Sequence, residues 1–150
     1  MSDWYFEDFT EGKTVRTMGR TVTETDIVNF VTLGGIFEEL FINVEFEQNK
    51  VVGGRVVPAM LVLTIAEGLY IQTGHTHAGR AFLGLDELRF TAPTKANDTL
   101  WVDVTVVSAR PSSSRPGHGV VVLAHNVVNQ RGESVANYRT SRMLESRPSS

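Results

Sequence analysis

The chain has 150 residues, of which 41% are hydrophobic. A chain of this length supports one well-buried core, whereas two domains would each be marginal. Its formal charge of −3, from 14 basic and 17 acidic residues spread along the sequence, argues against a nucleic-acid partner, which requires a cationic face. The absence of cysteine excludes disulfides, thiolate nucleophiles and thiolate metal sites. We therefore expect a single domain over residues 1–150, with residues 1–12 as its N-terminal segment.

The N-terminal segment also bears on localisation. Residues 1–11 include four acidic residues, whereas a secretory signal needs a basic start followed by an apolar run. The longest apolar stretch, residues 56–66, is too short to cross a bilayer. We expect a cytoplasmic protein with no membrane partner.

Two elements are predicted near the N-terminus. Residues 14–22 are rich in β-favouring types and predict an early strand. A helix is then predicted from Glu24 to about residue 33, because Thr23 suits the N-cap, Asp26 follows it by three residues, and apolar residues recur at helical spacing. The two glycines at positions 34 and 35 should end this helix.

A second helix is predicted from Pro58 to about Gln72. Proline is tolerated at a helix start because its missing N–H has no partner there in any case. Apolar residues surround this helix on all sides, which is typical of a helix buried over most of its surface. It should span roughly 22 Å, enough to run along the concave side of a curved sheet, and Gly74 should stop it.

Four β-rich runs follow, and turn-forming residues separate them. They are residues 80–90, 100–110, 119–129 and 134–144. Successive strands joined by short turns predict an antiparallel meander. Residues 120–123 are apolar on both faces, so that strand should lie centrally and be covered on its far side by a partner subunit or by loops. Residues 145–150 are polar and should form a disordered tail.

These elements together predict the architecture. The expected fold class is α+β, with a single hotdog domain in which an antiparallel sheet wraps around a long buried helix. Hotdog domains usually dimerise by continuing the sheet or by stacking helices, and pairing would protect an exposed sheet edge. We therefore expect a homodimer or a higher homo-oligomer.

A series of short segments runs along the chain in a recognisable order and spacing. They are Tyr5–Gly12, Gly19–Phe30, Gly53–Val57, Arg89–Pro93, Asn97–Leu100, Arg110–Pro116 and Asn129–Glu133. In this arrangement the chain resembles MaoC-like dehydratases and (R)-specific enoyl-CoA hydratases from residue 5 to about residue 142. The resemblance implies a hotdog fold and a lyase that adds water to a trans-2-enoyl thioester or removes it. We expect no cofactor and no metal.

The segment after the first helix departs from that family at the catalytic positions. The family typically reads Leu-Ser-Gly-Asp-x-Asn-Pro-Leu-His there, and its Asp and His transfer protons near neutral pH. Residues 33–41 read LGGIFEELF. An alignment without a gap places Ile36 at the Asp and Phe41 at the His, and neither side chain can transfer a proton. Glu38 takes the position of the Asn, and Glu39 that of the Pro.

Glu38 and Glu39 are the candidate catalytic replacements, because each offers a carboxylate close to the lost Asp. Burial near Phe37 and Phe41 would raise the pKa of such a carboxyl into the working range, and the two rings would also contact the substrate. The alternative is that both glutamates are solvated. We favour Glu38, which occupies an inward position in the family. Ala59 stands where the family has Gly, and its backbone N–H can donate to a thioester carbonyl at a helix N-terminus.

The loop Ser112–Pro116 is the candidate binding segment for the rest of the substrate. The hydroxyls of Ser113 and Ser114 and the guanidinium of Arg115 suit a phosphate or a pantetheine arm. In MaoC-like proteins this region lies near the thioester of acyl-CoA or of an acyl-carrier protein. The alternative is an ordinary hairpin loop, since Ser and Pro are common turn formers.

Three other polar features have structural interpretations. His125 lies in a Val-rich strand, and we expect a hydrogen-bonded core or interface histidine rather than one in the cleft. His75 and His77 have the spacing of a strand-borne metal pair, but they follow a helix end and lack a third ligand. Glu67, within the apolar helix, should reach solvent, a helix end or a partner.

Three functions are compatible with this sequence. The first is a hydratase or dehydratase that acts on an acyl thioester with a relocated acid–base group such as Glu38. The second is the same cleft used for isomerisation, cyclisation or elimination of a bulky apolar substrate in a specialised pathway. The third is a non-catalytic acyl-binding chain or partner subunit that pairs with an intact hydratase.

Overall fold

A computed structural model of the protein describes residues 4–148. The helices are a 3-10 turn at Phe6–Asp8, α1 (Glu24–Gly34), α2 (Glu39–Ile42), α3 (Glu47–Val52) and α4 (Ala59–Ile71). The strands are β1 (Thr14–Arg16), β2 (Arg20–Thr21), β3 (Gly79–Phe90), β4 (Thr99–Pro111), β5 (His118–Asn129) and β6 (Ser134–Glu145). No helix within the described part of the chain is long and apolar enough to span a membrane.

The six strands form one antiparallel sheet with the order β1-β4-β5-β6-β3, and β2 pairs with β4 beyond β1. Strands β4, β5 and β6 form the predicted meander, and β5 lies in its middle, as its two apolar faces predicted. The expectation that β3 pairs with the next strand along the chain is wrong. β3 pairs instead with β6, because residues 91–98 carry the chain from β3 past β6 and β5 to the start of β4. β3 is therefore an edge strand.

The long helix α4 packs against the concave face of this sheet and forms the centre of the core. Six of its side chains are buried: Leu61, Val62, Ile65, Ala66, Leu69 and Tyr70. They meet the inward residues of the three central strands, such as Val102, Leu123 and Val127. A fully buried Leu, Ile or Val side chain contributes roughly 1.5–3 kcal/mol, so this contact dominates the stability of the fold. The helix is exposed at Met60 and Ile71.

Helix α1 begins and ends as predicted. The Thr23 hydroxyl accepts a hydrogen bond from the backbone N–H of Asp26 at 3.1 Å, and the Asp26 carboxylate accepts one from the backbone N–H of Thr23 at 2.8 Å. These two bonds form a capping box, which satisfies N–H groups that have no partner within the helix. Gly35 ends the helix in the left-handed conformation at φ 65°, which glycine adopts without strain.

The predicted early strand over residues 14–22 is broken into β1 and β2. At Thr17 the backbone N–H still donates to the Val102 carbonyl oxygen at 3.0 Å, but the Thr17 hydroxyl, instead of a backbone carbonyl, accepts from the Val102 N–H at 2.9 Å. Gly19 then passes so close to Trp101 that a Cβ atom there would lie 2.5 Å from the indole ring. The break therefore follows from side-chain contacts with β4 that a local strand pattern does not reveal.

The expected disordered tail is wrong for the part of it that the structure describes. Glu145 still belongs to β6, and the backbone N–H of Ser146 donates to the carbonyl oxygen of Gly117. The guanidinium of Arg147 contacts the Asp8 carboxylate at 2.8 Å, so the end of the sheet is joined to the N-terminal 3-10 turn. Residues 149 and 150 lie outside the described residues.

Candidate functional site

A cavity of about 390 Å³ opens at the N-terminus of α4. Phe41, from α2, forms one wall, and Ala59, the exposed first residue of α4, also lines the cavity. The residues after β3 close the opposite side. The complete lining is Leu40, Phe41, Val56, Val57, Ala59, Val62, Phe90, Thr91, Ala92, Pro93 and Thr94. The lining among the described residues is thus apolar, with two hydroxyls and no ionisable side chain.

The wall that carries Phe41 is held by a buried amide. Asn49, in α3, donates from Nδ2 to the carbonyl oxygens of Leu40 at 2.9 Å and Asn43 at 2.8 Å. Its Oδ1 accepts from the backbone N–H of Val56 at 2.9 Å. The Asn49 side chain is almost fully buried, so these three bonds satisfy all of its hydrogen-bonding groups that water cannot easily reach. Asn49 thereby fixes the segment between α1 and α4 as one unit.

Arg55 supports the same wall from the other side. Its Nη1 donates to the carbonyl oxygen of Phe41 at 2.8 Å, and its Nε lies 2.7 Å from the Glu24 carboxylate as an ion pair without an aligned hydrogen bond. The sequence does not single out Asn49 or Arg55, because a polar residue in a polar segment carries no local signal of burial. The resemblance does include Arg55 within its Gly53–Val57 segment, which is the one signal that could have found it.

The N-terminus of α4 carries a backbone donor without an acceptor among the described residues, at a residue that lines the cavity. Pro58 is the N-cap residue and has no N–H, and no side chain caps the helix. The Pro58 carbonyl accepts from Leu61 and Val62, whereas no residue in 4–148 accepts from the N–H of Ala59. The first N–H groups of a helix have no internal partner, and the helix dipole adds partial positive charge there. This amide can therefore donate to a carbonyl oxygen or to an oxyanion in the cavity.

The predicted catalytic segment lies beside the cavity without filling it. Ile36 joins α1 to α2, where its backbone N–H donates to the Val31 carbonyl oxygen. Glu38 is the N-cap residue of α2, and Glu39 is the first residue of that helix. Both glutamate side chains are exposed, and neither lines the cavity. Phe37 is 63% exposed, so the expected burial of these two carboxylates beside Phe37 and Phe41 is not found among residues 4–148.

Phe41 and Phe37 meet a second, smaller cavity of about 210 Å³ under α1. Phe41 lines both this space and the larger cavity at the N-terminus of α4, so its ring stands between them. Phe37 contacts only the smaller space. Of the predicted substrate contacts, Phe41 and Ala59 are therefore brought together in one cavity, and Phe37 lies behind it.

The Ser112–Pro116 loop is at the opposite end of the sheet from this cavity. The loop joins β4 to β5 beside the start of β3, whereas the cavity lies beside the end of β3 at Phe90. Twelve extended residues separate these ends by roughly 35–40 Å. Ser113, Ser114 and Arg115 therefore do not meet Phe41 or Ala59 within one chain. Arg115 is exposed, and its backbone N–H donates to the Ser112 hydroxyl at 3.2 Å.

The histidines at positions 125 and 75 pack against aromatic side chains and do not line the cavity. His125 is a buried core residue, as expected: its Nε2 lies 2.9 Å from the Thr140 hydroxyl, and its ring stacks on Tyr138. Burial lowers the pKa of His125 to about 3, so the ring is neutral at physiological pH. Among residues 4–148, no three metal-ligating side chains come together, and His75 instead stacks on Trp4.

The sequence profile described as "MaoC like domain" matches residues 7–139. The chain belongs to the MaoC-like dehydratase family. Relatives of this MaoC-like chain include Protein MaoC of Klebsiella aerogenes, 35% identical over 67% of the chain and 30% of the relative. A beta-methylmalyl-CoA dehydratase of Chloroflexus aurantiacus is 32% identical over 89% of the chain and 38% of the relative. The chain thus spans about a third of these two proteins.

A relative of more similar length is the (R)-specific enoyl-CoA hydratase of Rhodospirillum rubrum, 28% identical over 71% of the chain and 72% of the relative. Among solved structures, the monoamine oxidase regulatory protein from Archaeoglobus fulgius is 33% identical, with a TM-score of 0.86 over 98% of both chains. A double hotdog protein of Mycobacterium tuberculosis has a TM-score of 0.80 over 97% of this chain and 45% of its own, at 22% identity. The predicted hotdog fold is confirmed.

Proposed function

We propose that this MaoC-like domain is a hydratase or dehydratase whose substrate is an acyl thioester of CoA or of a carrier protein. The observation that carries the proposal is the Ala59 amide, which has no acceptor within residues 4–148 and belongs to a residue that lines an apolar cavity of about 390 Å³ at the start of α4. The names of the relatives support the substrate class, because a beta-methylmalyl-CoA dehydratase and an enoyl-CoA hydratase both act on CoA thioesters.

The chemistry follows from the position of that amide. A thioester carbonyl that accepts from Ala59 N–H is polarised, and the negative charge that develops on its oxygen is stabilised by the helix N-terminus. Polarisation favours addition of water oxygen to the β-carbon and of a proton to the α-carbon, and the reverse elimination releases the same water. The apolar walls, Phe41 and Phe90 among them, surround the acyl chain and exclude bulk water.

The proton-transfer group is proposed to be Glu38, with Glu39 as the alternative. Both precede Leu40 and Phe41, which line the cavity, so a change in the α2 segment would bring a carboxylate to its mouth. Glu39 already faces the Asn43 side-chain amide, with Oε1 and Nδ2 3.5 Å apart. Glu38 is therefore the stronger candidate.

One observation favours a second candidate function. No carboxylate or imidazole among the described residues lines the cavity, and Phe41 stands where the family is expected to carry its His. A cavity whose only polar side chains among the described residues are two threonines suits a chain that binds an acyl group and pairs with a dyad-bearing hydratase. It equally suits a chain that guides a bulky apolar substrate through an isomerisation, a cyclisation or an elimination. Co-purification with a second hotdog chain would select the partner-subunit function.

The deciding experiment is hydration of crotonyl-CoA, followed by loss of ultraviolet absorbance. We expect turnover by the wild-type chain and a loss of at least about 100-fold in Glu38→Gln, the scale of general acid–base catalysis. Glu39→Gln is the matched control and should retain turnover. Absence of wild-type activity at high enzyme concentration would reject the hydratase proposal, and unchanged turnover in Glu38→Gln would reject that residue as the base.

A second variant tests the amide itself. Ala59→Pro removes the N–H at a helix position where proline is well tolerated, and the extended backbone of Pro58, at ψ 133°, is compatible with a proline after it. We expect the fold to persist and turnover to fall by roughly 100-fold or more, the loss seen when one oxyanion donor is removed. Ala59→Gly keeps the N–H and should keep turnover.

We further propose that the chain forms a homodimer through β3. This edge strand pairs with β6 on one side and with no strand in residues 4–148 on the other, and it exposes apolar side chains. They are Phe82, Leu83, Leu85 and Phe90, each 36–51% exposed. Leu83→Lys should shift the oligomer toward the monomer in light scattering, whereas Leu33→Lys, at an 87% exposed site in α1, should leave it unchanged.

Such a dimer would bring the Ser112–Pro116 loop back to the substrate. Two β3 strands paired antiparallel place the start of one beside the end of the other. The loop of one copy, with Ser113, Ser114 and Arg115, then lies at the same end of the joined sheet as the Phe41 cavity of the other. We propose that Arg115 contacts a phosphate or the pantetheine arm of a substrate bound by the second copy.

A further inference from the structure

We propose that the Phe41 ring limits the length of the acyl group that the chain accepts, because it closes the cavity at the start of α4 against a second apolar cavity under α1. The preferred substrate is then a short acyl thioester. This inference rests on the proposed function, since it concerns how the same cavity selects among acyl thioesters. It gives Phe41 a role in specificity and none in proton transfer.

Phe41 is shared by the two cavities. The larger has a volume of about 390 Å³, and the smaller, under α1, has a volume of about 210 Å³. Among the described residues, Phe41 is the one that lines both. The ring is therefore a partition, and the length of the space open to a ligand depends on it. The other residues that line the smaller cavity are Val28, Val31, Thr32, Phe37, Ile42 and Arg55.

The smaller cavity suits a hydrocarbon chain. Its two polar side chains already have partners within the protein. The Thr32 hydroxyl donates to the carbonyl oxygen of Val28 at 2.7 Å, and the Arg55 guanidinium is held by the Phe41 carbonyl oxygen and the Glu24 carboxylate. The remaining walls are apolar, so a polar ligand group placed there would lose its hydration without a free partner.

The apolar walls of the smaller cavity are also in contact with solvent. Val28, Phe37 and Ile42 are each 49–63% exposed. A hydrocarbon chain that covers them removes apolar surface from water on both sides of the contact. Each additional CH₂ group buried in this way tightens binding by roughly four-fold.

The partition is held by backbone contacts. The backbone N–H of Phe41 donates to the Glu38 carbonyl oxygen at 2.9 Å, and its own carbonyl oxygen accepts from Arg55 at 2.8 Å. Asn49 donates to the carbonyl oxygen of the preceding residue, Leu40, at 2.9 Å. None of these three bonds involves the ring. A smaller side chain at position 41 therefore keeps them and joins the two cavities.

The other direction for a longer acyl group leads along α4 and is less favourable. Leu63 and Glu67 follow Ala59 at four-residue spacing, so they lie on nearly the same face of the helix. The sequence interpretation placed Glu67 toward solvent, a helix end or a partner, whereas both of its carboxylate oxygens lie 2.6 Å from Nη2 of Arg142 in β6. A methylene chain over this ion pair would cost it hydration. The apolar extension of the larger cavity is therefore the space behind Phe41.

The test measures binding of butyryl-CoA and decanoyl-CoA by isothermal titration calorimetry. Both thioesters are saturated, so the ratio of their dissociation constants reports chain-length preference independently of turnover. We expect the wild-type chain to bind decanoyl-CoA no more tightly than butyryl-CoA. Phe41→Ala should shift the ratio toward decanoyl-CoA by at least about 15-fold, the value of two more buried CH₂ groups. Phe41→Leu, a milder change, should shift it in the same direction by less.

Two further variants locate the effect. Phe37→Ala is the matched control, because it removes a ring of the same kind that lines only the smaller cavity, and it should leave the ratio unchanged. Thr32→Phe, combined with Phe41→Ala, fills the smaller cavity from an exposed position in α1 and should return the ratio to its wild-type value. Circular dichroism verifies that each variant is folded.

The outcomes separate this inference from the hydratase proposal. If both saturated thioesters bind but crotonyl-CoA is not hydrated, the hydratase proposal is rejected, and the ratios still decide the role of Phe41. A wild-type preference for decanoyl-CoA, or one ratio common to the wild-type chain, Phe41→Ala and Phe41→Leu, would reject that role even where hydration is observed. Absence of binding of either thioester by the wild-type chain would overturn this inference together with the acyl-thioester substrate.

Discussion

Nη1 of Arg55 donates a 2.8 Å hydrogen bond to the carbonyl oxygen of Phe41, and so joins the strand-like segment before α4 to the helix that carries the cavity wall. The Arg55 side chain is only 17% exposed, so water competes poorly for that carbonyl. The contact explains how a short helix such as α2, with few internal hydrogen bonds, keeps Phe41 in place. It also couples the stability of the site to a residue that does not line the larger cavity at the N-terminus of α4.

Arg55→Met should therefore destabilise the protein by about 2 kcal/mol, because a hydrogen bond from a charged donor to a poorly hydrated carbonyl contributes roughly 1.5–3 kcal/mol. The loss is measured by urea denaturation. Arg80→Met breaks the exposed pair with Glu145 and should cost at most about 1 kcal/mol. Equal losses of unfolding free energy in the two variants would show that the hydrogen bond from Arg55 to Phe41 contributes no more than an exposed ion pair.

Substitution of Asn49 should lower the free energy of unfolding even more than substitution of Arg55. Asn49→Ala removes three hydrogen bonds and leaves half-buried backbone groups of Leu40, Asn43 and Val56 without these partners, so we expect a loss of about 3 kcal/mol. Asn49→Asp should be no better, because a carboxylate cannot donate to the two carbonyl oxygens. Asn29→Ala, at an exposed position in α1, serves as control and should change the free energy of unfolding by less than about 0.5 kcal/mol.

His125 predicts how stability depends on pH. Its pKa is about 3 in the folded chain against an ordinary value of 6.5, so between these values the unfolded chain binds the extra proton. Stability from this residue is fully present above pH 6.5 and falls as the pH drops toward 3. From pH 7.5 to pH 5 the loss should be about 2 kcal/mol.

Denaturation of His125→Gln measures this contribution. The variant should be less stable at pH 7.5 but should lose less on going to pH 5, since its side chain does not titrate. Burial also lowers the pKa of His75, so this residue adds to the loss of stability at low pH. The same measurement on His75→Gln shows how much of the loss comes from His75. A pH slope in His125→Gln as steep as in the wild-type chain would contradict the assignment to His125.

The loop prediction distinguishes a dimer-built site from an ordinary hairpin. Arg115→Gln should raise KM for crotonyl-CoA by roughly five- to ten-fold with little change in kcat, because a phosphate or pantetheine contact binds substrate and transition state alike. The loss should shrink at high salt, which screens an exposed ion pair. Arg16→Gln, paired with Asp103 on the other face of the sheet, is the control. An unchanged KM for crotonyl-CoA in Arg115→Gln would show that the loop is an ordinary hairpin turn that does not contact the substrate.

Much of the secondary structure was readable from local patterns. The bounds of α1, β4 and β5 agree with prediction to within one residue, because capping residues, glycines and turn clusters mark the ends of elements independently of the rest of the chain. Helices α2 and α3 were missed, since four and six residues are too few for helical periodicity to show. The pairing of β3 with β6 was also missed, because strand neighbours depend on the path of the whole chain.

By itself the sequence determined the family resemblance, the hotdog class and the central apolar helix, all of which depend on residue types in a fixed order and spacing. It also supplied the prediction that Ile36 and Phe41 stand at the positions of a proton-transferring pair. Only the tertiary structure decided that Glu38 and Glu39 are exposed, that the Ser113–Arg115 loop lies at the far end of the sheet, and that Phe41 and Ala59 line one cavity. The burial of a side chain and the distance between two segments depend on contacts between parts of the chain that are far apart in sequence. No local pattern indicates which segments will pack together.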